Sequence, residues 1–120
     1  ESFSPQERAD LVKMVTDDLD NVEVDVFDGL LAEYVRAKGA CAIVKGLRAV
    51  SDFEYEFQMA LANKRLNDQA ETGYLTTSTE NMYLSSSIVR QIAALGGDVS
   101  PFVPARILPV INKRFQTEKE

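Results

Sequence analysis

Two short segments of the sequence combine residue types that suit the binding of phosphate groups. Lys45-Gly46-Leu47-Arg48 places two cations around a glycine, whose missing side chain lets backbone N–H groups approach a ligand closely. Ser85-Ser86-Ser87 lies at the predicted start of a helix, where unpaired N–H groups and the helix dipole attract anions. Residue types alone also allow a solvated basic turn for the first segment and a plain serine N-cap for the second. We predict that the two segments form two walls of one nucleotide-phosphate site.

The elements that must position these segments alternate between helices and strands. Ser4 as N-cap, Pro5 after it and Glu7 form a capping box, which predicts the start of the first helix. Strands are predicted over residues 22–26, where apolar residues alternate, over the continuously apolar residues 41–44, and around residues 74–76. Further helices are predicted over residues 30–38 with a stop at Gly39, from a capping box at Ser51 to about Asn67, from the serine run to Gly96-Gly97, and after Pro104 with a restart near Leu108. Helices between strands indicate one α/β domain over residues 1–120, with a parallel sheet and helices on both faces.

Ligands of open parallel sheets bind beyond the carboxyl ends of the strands. Lys45 follows the second predicted strand and the serine run follows the third, so both segments are expected to face one crevice. Glu56 lies in the first turns of the helix after Arg48. Composition alone indicates a solvated helix charge at Glu56, and the functional alternative is an acceptor for ribose or adenine groups.

The composition of the 120 residues excludes several classes of function. A formal charge of -6 argues against a nucleic-acid binder, because binding to a phosphate backbone needs a basic surface. The chain has no histidine, so it supplies no imidazole base and no imidazole metal ligand. Its one cysteine, Cys41, is predicted to be a small buried residue and cannot form an internal disulfide, which fits a reducing compartment. No apolar run reaches the roughly 20 residues of a membrane span, so we expect a cytoplasmic protein without membrane or nucleic-acid partners.

A longer motif surrounds the first segment. It reads K-G-L-R-A-V-S-D-F-E-Y-E over residues 45–56 and continues with Gln58-Met59-Ala60 and Asn63-Lys64. This stretch closely resembles the bacterial phosphopantetheine adenylyltransferases, and residues 3–8 and 96–99 fit the same enzymes. The serine segment resembles the second signature of the wider nucleotidyltransferase superfamily. The resemblance covers nearly the whole chain.

The resemblance implies an activity and a set of binding residues. The activity is the transfer of AMP from ATP to 4′-phosphopantetheine, which gives dephospho-CoA and pyrophosphate in coenzyme A biosynthesis. Mg²⁺ bound mainly through ATP, binding of dephospho-CoA or CoA, and a homo-hexamer are implied as well. Lys45 and Leu31 are implied to contact phosphopantetheine. Arg48 is implied to support the transition state. The residues implied to contact ATP are Gly46, Leu47, Arg48, Glu56, Asn81, Met82, Tyr83, Leu84, Ser85, Ser86 and Ser87.

The resemblance also implies segments that these 120 residues do not include. The family has a Rossmann-like sheet of strand order 3-2-1-4-5, in which the three strands predicted here would be the third, fourth and fifth. The other two strands, the glycine-rich turn and the T-x-G-H signature with its catalytic histidine would precede residue 1. We therefore expect a fragment that holds no catalytic residue and is inactive on its own.

The residues leave two alternative functions open. Another nucleotidyltransferase, such as a cytidylyl or nicotinamide-mononucleotide adenylyl enzyme, is disfavoured by the motif over residues 45–56. A non-catalytic remnant that binds nucleotide or forms oligomers is favoured by the missing signature. Calorimetry with ATP and with phosphopantetheine separates these interpretations. Binding of both indicates the named enzyme, binding of ATP alone indicates the remnant, and binding of neither indicates the fragment.

Overall fold

The computed structural model describes residues 2–119, without the side chains of Val50, Ser51 and residues 117–119. Its elements are α1 (Pro5–Thr16), α2 (Leu31–Lys38), β1 (Ala42–Leu47), α3 (Val50–Leu66), β2 (Glu71–Thr76), α4 (Ser86–Ala94) and α5 (Leu108–Lys119), with 3-10 turns at Thr79–Asn81 and Ala105–Ile107. The chain divides into two compact units. We call Phe27–Tyr83 the sheet unit, and Glu1–Val26 together with Leu84–Glu120 the helical unit.

The sheet unit is built on two parallel strands joined through a helix. β1 pairs with β2 in a register that runs from Ala42 opposite Glu71 to Leu47 opposite Thr76, and α3 is the crossover between them. Successive strand residues point to opposite faces, so Ile43 is buried while Val44 beside it is 68% exposed. The core of this unit is small and consists of Val35, Ile43 and Ala70, with Leu31 packed against them.

The helical unit has a larger core and well-capped helices. The Ser4 side chain accepts a hydrogen bond from the Glu7 N–H, and Glu7 accepts from the Ser4 N–H, which completes the predicted capping box of α1. α4 ends where Gly96 adopts a left-handed φ of 82° and the Gly97 N–H reaches the Ile92 carbonyl at 2.9 Å. The buried residues of the core are Ala93, Val99, Ile111 and Phe115, with Phe3, Val89, Ile92, Phe102, Val103, Ile107 and Leu108 packed around them.

Several predictions of elements are confirmed. α2 ends at Gly39, which has a φ of 67°, and α3 ends at the C-cap Asn67. The segment after Pro104 forms a 3-10 turn and restarts as a helix at Leu108, as predicted. The α/β class with parallel pairing is confirmed. No helix of the described residues is long and apolar enough to cross a membrane.

The predicted strand over residues 22–26 is wrong, and the sheet has two strands instead of three. Alternating side chains describe one face of a strand, but a strand forms only when its N–H and C=O groups pair with a neighbour. No strand in the described part of the chain pairs with this segment, and Val22 and Val26 are 44% and 46% exposed.

Two further predictions about this part of the chain are wrong. Cys41 is exposed, because it stands one residue before β1 and burial in the apolar run begins at Ile43. The N-cap of α3 is Ala49, whose carbonyl already accepts from the Phe53 N–H at 3.1 Å. Ser51 therefore lies inside the first turn of the helix, and its side chain lies outside the described residues.

Candidate functional site

The basic segment lies at the edge of the sheet where both strands end. Lys45, Gly46 and Leu47 form the second half of β1 and do not follow it as predicted, and Arg48 is the first residue beyond the strand. Because Leu47 pairs with Thr76 in a parallel ladder, the carboxyl ends of β1 and β2 meet at one edge. This is the edge at which parallel α/β sheets bind ligands.

A cavity of about 390 Å³ opens at this edge of the sheet unit. Its volume falls in the range of small-molecule sites, and its wall is mainly apolar. Arg48 is the charged residue of the lining and brings one cation to the apolar surface. The full lining is Leu47, Arg48, Ala49, Phe53, Thr76, Thr77 and Met82. A wall of this kind suits a flat heterocycle that carries negatively charged groups.

Lys45 is held by an ion pair to α3, the helix that follows its strand in the sequence. Its Nζ lies 2.9 Å from Oε2 of Glu56, and the two side chains are 26% and 24% exposed. The Tyr74 hydroxyl, opposite Lys45 in the ladder, donates a hydrogen bond to the Glu56 backbone carbonyl at 2.6 Å. Glu56 is thus fixed from β1 through its carboxylate and from β2 through its backbone.

Arg48 makes a looser contact with the same helix. Its Nε lies 3.8 Å from Oδ2 of Asp52, and both side chains are nearly half exposed. An exposed pair at this distance contributes little to stability. Each cation of the basic segment therefore has an acidic partner on α3, but only Lys45 is held in a short, largely covered pair.

The remaining predicted site residues of the sheet unit lie in three places. Leu31 begins α2 and packs on the core of Val35, Ile43 and Ala70. Asn81 ends the 3-10 turn and donates to the Ser78 hydroxyl at 3.1 Å. Met82 lines the cavity beside Leu47 and Arg48, whereas Tyr83 is 57% exposed.

The serine segment belongs to the helical unit. Ser85 is the N-cap of α4 and accepts from the Ile88 N–H at 3.2 Å, so the capping interpretation of this residue is correct. Ser86 and Ser87 are exposed in the first turn, and Arg90 donates to the Ser87 hydroxyl at 3.4 Å. Leu84, which precedes the cap, is half-buried. The two segments that are predicted to bind phosphate lie in different units, and their union in one site stays a prediction.

Sequence reasoning missed part of the cavity wall and one polar contact. Ala49, Phe53, Thr76 and Thr77 line the cavity but were not among the predicted site residues. Their position in the sequence could have identified them, because each lies within a few residues of the carboxyl end of β1 or β2. Tyr74 gave no separate signal, because a tyrosine in a strand is expected to pack.

Comparisons with known proteins identify the family. The family model of cytidylyltransferase-like proteins matches residues 1–92. A phosphopantetheine adenylyltransferase of Caldanaerobacter subterraneus subsp. tengcongensis is 57% identical over 114 residues, which are 95% of this chain and 71% of the relative. This chain belongs to the phosphopantetheine adenylyltransferase family.

Other members of the phosphopantetheine adenylyltransferase family match over the same extent. The protein of that name from Alkaliphilus metalliredigens is 50% identical over 93% of this chain and 71% of its own length. The one from Alkalilimnicola ehrlichii is 48% identical over 95% of this chain and 66% of its own length. The cytidylyltransferase-like match ends five residues after Ser87, so it includes all of the predicted site residues.

Proposed function

We propose that this chain binds the substrates of a phosphopantetheine adenylyltransferase, which transfers AMP from ATP to 4′-phosphopantetheine in coenzyme A biosynthesis. The observation that carries the proposal is the placement of Arg48 at the carboxyl edge of the parallel strands, in the lining of an apolar cavity, with Lys45 in the second half of β1. Relatives at 48–57% identity carry the name of this enzyme. Dephospho-CoA and pyrophosphate are the products.

The reaction requires positioning and charge stabilisation more than acid–base chemistry. A phosphate oxygen of 4′-phosphopantetheine attacks the α-phosphorus of ATP, and the bond from that phosphorus to the bridging oxygen of the β-phosphate breaks. Pyrophosphate leaves with the electron pair of that bond. Fixed cations near the α-phosphate stabilise the charge that develops in the transition state.

The residues of the sheet unit divide between the two substrates. Leu47, Phe53 and Met82 offer apolar surface for the nucleotide, and Arg48 faces the same cavity as a cation for its phosphates. Glu56 offers a carboxylate to the amino or hydroxyl donors of the nucleotide, and Lys45 offers an ammonium to the acceptor phosphate. The other residues proposed to contact ATP are Gly46, Asn81, Tyr83, Leu84, Ser85, Ser86 and Ser87, and Leu31 is proposed to contact the pantetheine arm.

Mg²⁺ is proposed to enter with ATP. The described residues contain no group of three or more acidic, cysteine or histidine side chains that could hold a metal ion. Mg²⁺ is commonly bound by substrate phosphates and water with few protein ligands, and this mode needs no protein cage. When bound, the ion neutralises charge on the triphosphate and on the leaving pyrophosphate.

A homo-hexamer that works in the cytoplasm and also binds CoA is part of the proposal. The single cysteine fits a reducing compartment. Light scattering after size-exclusion chromatography tests the assembly, because six copies of a 13.3 kDa chain give a mass six times that of the monomer. A monomeric mass at working concentration would contradict the hexamer but not the substrate assignment.

Calorimetry with each substrate separately tests the proposed function. The ligands are 4′-phosphopantetheine and an ATP analogue in which a methylene group replaces the α–β bridging oxygen, titrated in the presence of Mg²⁺. Saturable binding of both ligands with one site per chain is expected. Binding of the ATP analogue alone would indicate a nucleotide-binding module without the acceptor site, and binding of neither would contradict the proposal.

A further inference from the structure

The short ion pair between Lys45 and Glu56 joins two residues that the proposed function assigns to different substrates. Lys45 is assigned to the acceptor phosphate and Glu56 to the nucleotide, yet their charged atoms lie 2.9 Å apart. About three quarters of each side chain is covered. In the structure each charge therefore serves as the partner of the other.

We propose that this ion pair is a latch that makes the binding of the two substrates cooperative. The inference rests on the proposed function, because it requires that Lys45 binds the acceptor phosphate and that Glu56 binds the nucleotide. Either substrate must then open the same contact before it binds fully. Once one substrate has opened it, the second substrate binds to a charge that is already released.

Backbone support at Glu56 makes this latch specific. The Tyr74 hydroxyl holds the Glu56 carbonyl at 2.6 Å, so the helix backbone stays fixed while the Glu56 carboxylate can exchange partners. The Arg48–Asp52 pair differs from the Lys45–Glu56 pair in its distance and in its exposure. Its atoms are 3.8 Å apart and its side chains are 46% and 40% exposed, so water competes with it throughout.

The size of the effect follows from the populations of the open and closed pair. Removing one partner of a covered ion pair has a much larger effect than breaking an exposed pair, and this pair is intermediate in cover. If the closed form is favoured by roughly tenfold, each substrate binds roughly tenfold more tightly when the other is present. Linkage requires that the factor is the same for both substrates.

The test measures the affinity for 4′-phosphopantetheine with and without a saturating amount of the methylene ATP analogue. The wild-type chain is expected to show a ratio of dissociation constants of roughly ten. In Glu56→Gln the ratio is expected to fall to one. The same variant should bind 4′-phosphopantetheine more tightly than the wild type when no nucleotide is present, because Lys45 is no longer held by a carboxylate.

The increase in affinity distinguishes a latch from a merely structural role of Glu56. Loss of a structural contact would weaken acceptor binding, which would overturn the proposal. Glu71→Gln is the matched control, since Glu71 pairs with Lys64 and also links the sheet to α3, but at the other end of the helix. Its coupling ratio should equal that of the wild type, and Lys45→Arg, which keeps the cation, should retain the coupling.

A measurement on the unmodified chain keeps the proposal testable if Glu56→Gln does not fold. Salt screens a partly exposed ion pair, so the coupling ratio of the wild type should fall toward one from low to high salt. A ratio that is independent of salt, or equal to one at low salt, would overturn the latch. Binding of both substrates without coupling would contradict only this inference, whereas binding of neither would contradict the proposed function itself.

Discussion

The helical unit and the sheet unit differ in how they use apolar residues. In the helical unit four buried residues, Phe115 among them, and seven partly buried ones form one core. The sheet unit buries Val35, Ile43 and Ala70 in its core and leaves Val44, Leu75 and Tyr55 more than 60% exposed. Its polar contacts include the Lys45–Glu56 ion pair and the hydrogen bond from Tyr74 to the Glu56 backbone.

This difference separates the residues that stabilise the chain from those that are proposed to bind substrates. A packed core contributes through apolar area removed from water, while a binding edge must keep charges and apolar surface accessible. Core substitutions in the helical unit should therefore change stability, and substitutions at the basic segment should change affinity.

The largest expected effect is the truncation of the core of the helical unit. Phe115 is 6% exposed and packs within the main cluster, so Phe115→Ala should lower the free energy of unfolding by about 3–5 kcal/mol. Ile43→Ala in the smaller core should have an effect nearer to about 2 kcal/mol. Urea unfolding followed by circular dichroism measures both, and a larger loss for Ile43→Ala would contradict the comparison.

The next effect concerns binding at the cavity. Arg48→Met removes the cation of the cavity lining. It should weaken the binding of the ATP analogue by roughly 10- to 100-fold, as expected for the loss of a hydrogen bond from a charged group. Arg65→Met is the control, because Arg65 is an exposed cation near the end of α3. Calorimetry should show unchanged affinity for Arg65→Met. Equal losses of affinity in both variants would indicate that only the net charge of the chain affects binding of the analogue.

A smaller effect is expected from two glycines, one in each unit. A Cβ at Gly97 would lie 2.6 Å from Cγ2 of Ile92 and 3.2 Å from its carbonyl oxygen, so Gly97→Ala should destabilise by about 1–3 kcal/mol. A Cβ at Gly73 in β2 would meet nothing within 4 Å. Gly73→Ala should leave stability unchanged or raise it. Thermal unfolding of the two variants checks the order, which the opposite ranking would contradict.

The smallest effect is the pH dependence of the helical unit, because the Arg114 and Glu7 side chains that cause it are 32% and 42% exposed and solvent screens such a pair. Hydrogen bonds from Arg114 and from the Ser4 backbone lower the pKa of the Glu7 carboxyl from 4.5 to about 2. Because the pKa is lower in the folded chain, Glu7 stabilises the fold above about pH 4.5, and this contribution is lost as the pH falls toward 2. NMR titration of Glu7 should give this low pKa, and Arg114→Gln should return it toward 4.5. A midpoint near 4.5 in the wild type would contradict the contact.

Local signals predicted the helices well, because their determinants lie in adjacent residues. The Ser4 cap, the left-handed Gly39 and the break at Leu108 each act within one turn of the chain. The strand over residues 22–26 was predicted wrongly because strand formation depends on a distant partner. The prediction that Cys41 is buried was wrong for a related reason, since the elements that bury a residue in a sheet lie far away in sequence.

For the candidate site, the sequence indicated candidate residues but not their contacts. The motif over residues 45–56 identified Lys45, Arg48 and Glu56 as functional candidates. That Lys45 and Glu56 pair with each other depends on how α3 lies against the sheet, which no spacing rule specifies. The support from Tyr74 likewise depends on the register of β1 and β2.

The assignment of substrate binding to the carboxyl edge of the sheet unit is tested most directly by NMR. Addition of the methylene ATP analogue with Mg²⁺ to the ¹⁵N-labelled chain should shift the amide signals of Gly46, Leu47, Arg48, Phe53 and Met82. The signals of Arg36 and Lys38 at the far end of α2 should stay in place. Shifts confined to such remote positions, or no shifts at saturating analogue, would contradict the assignment.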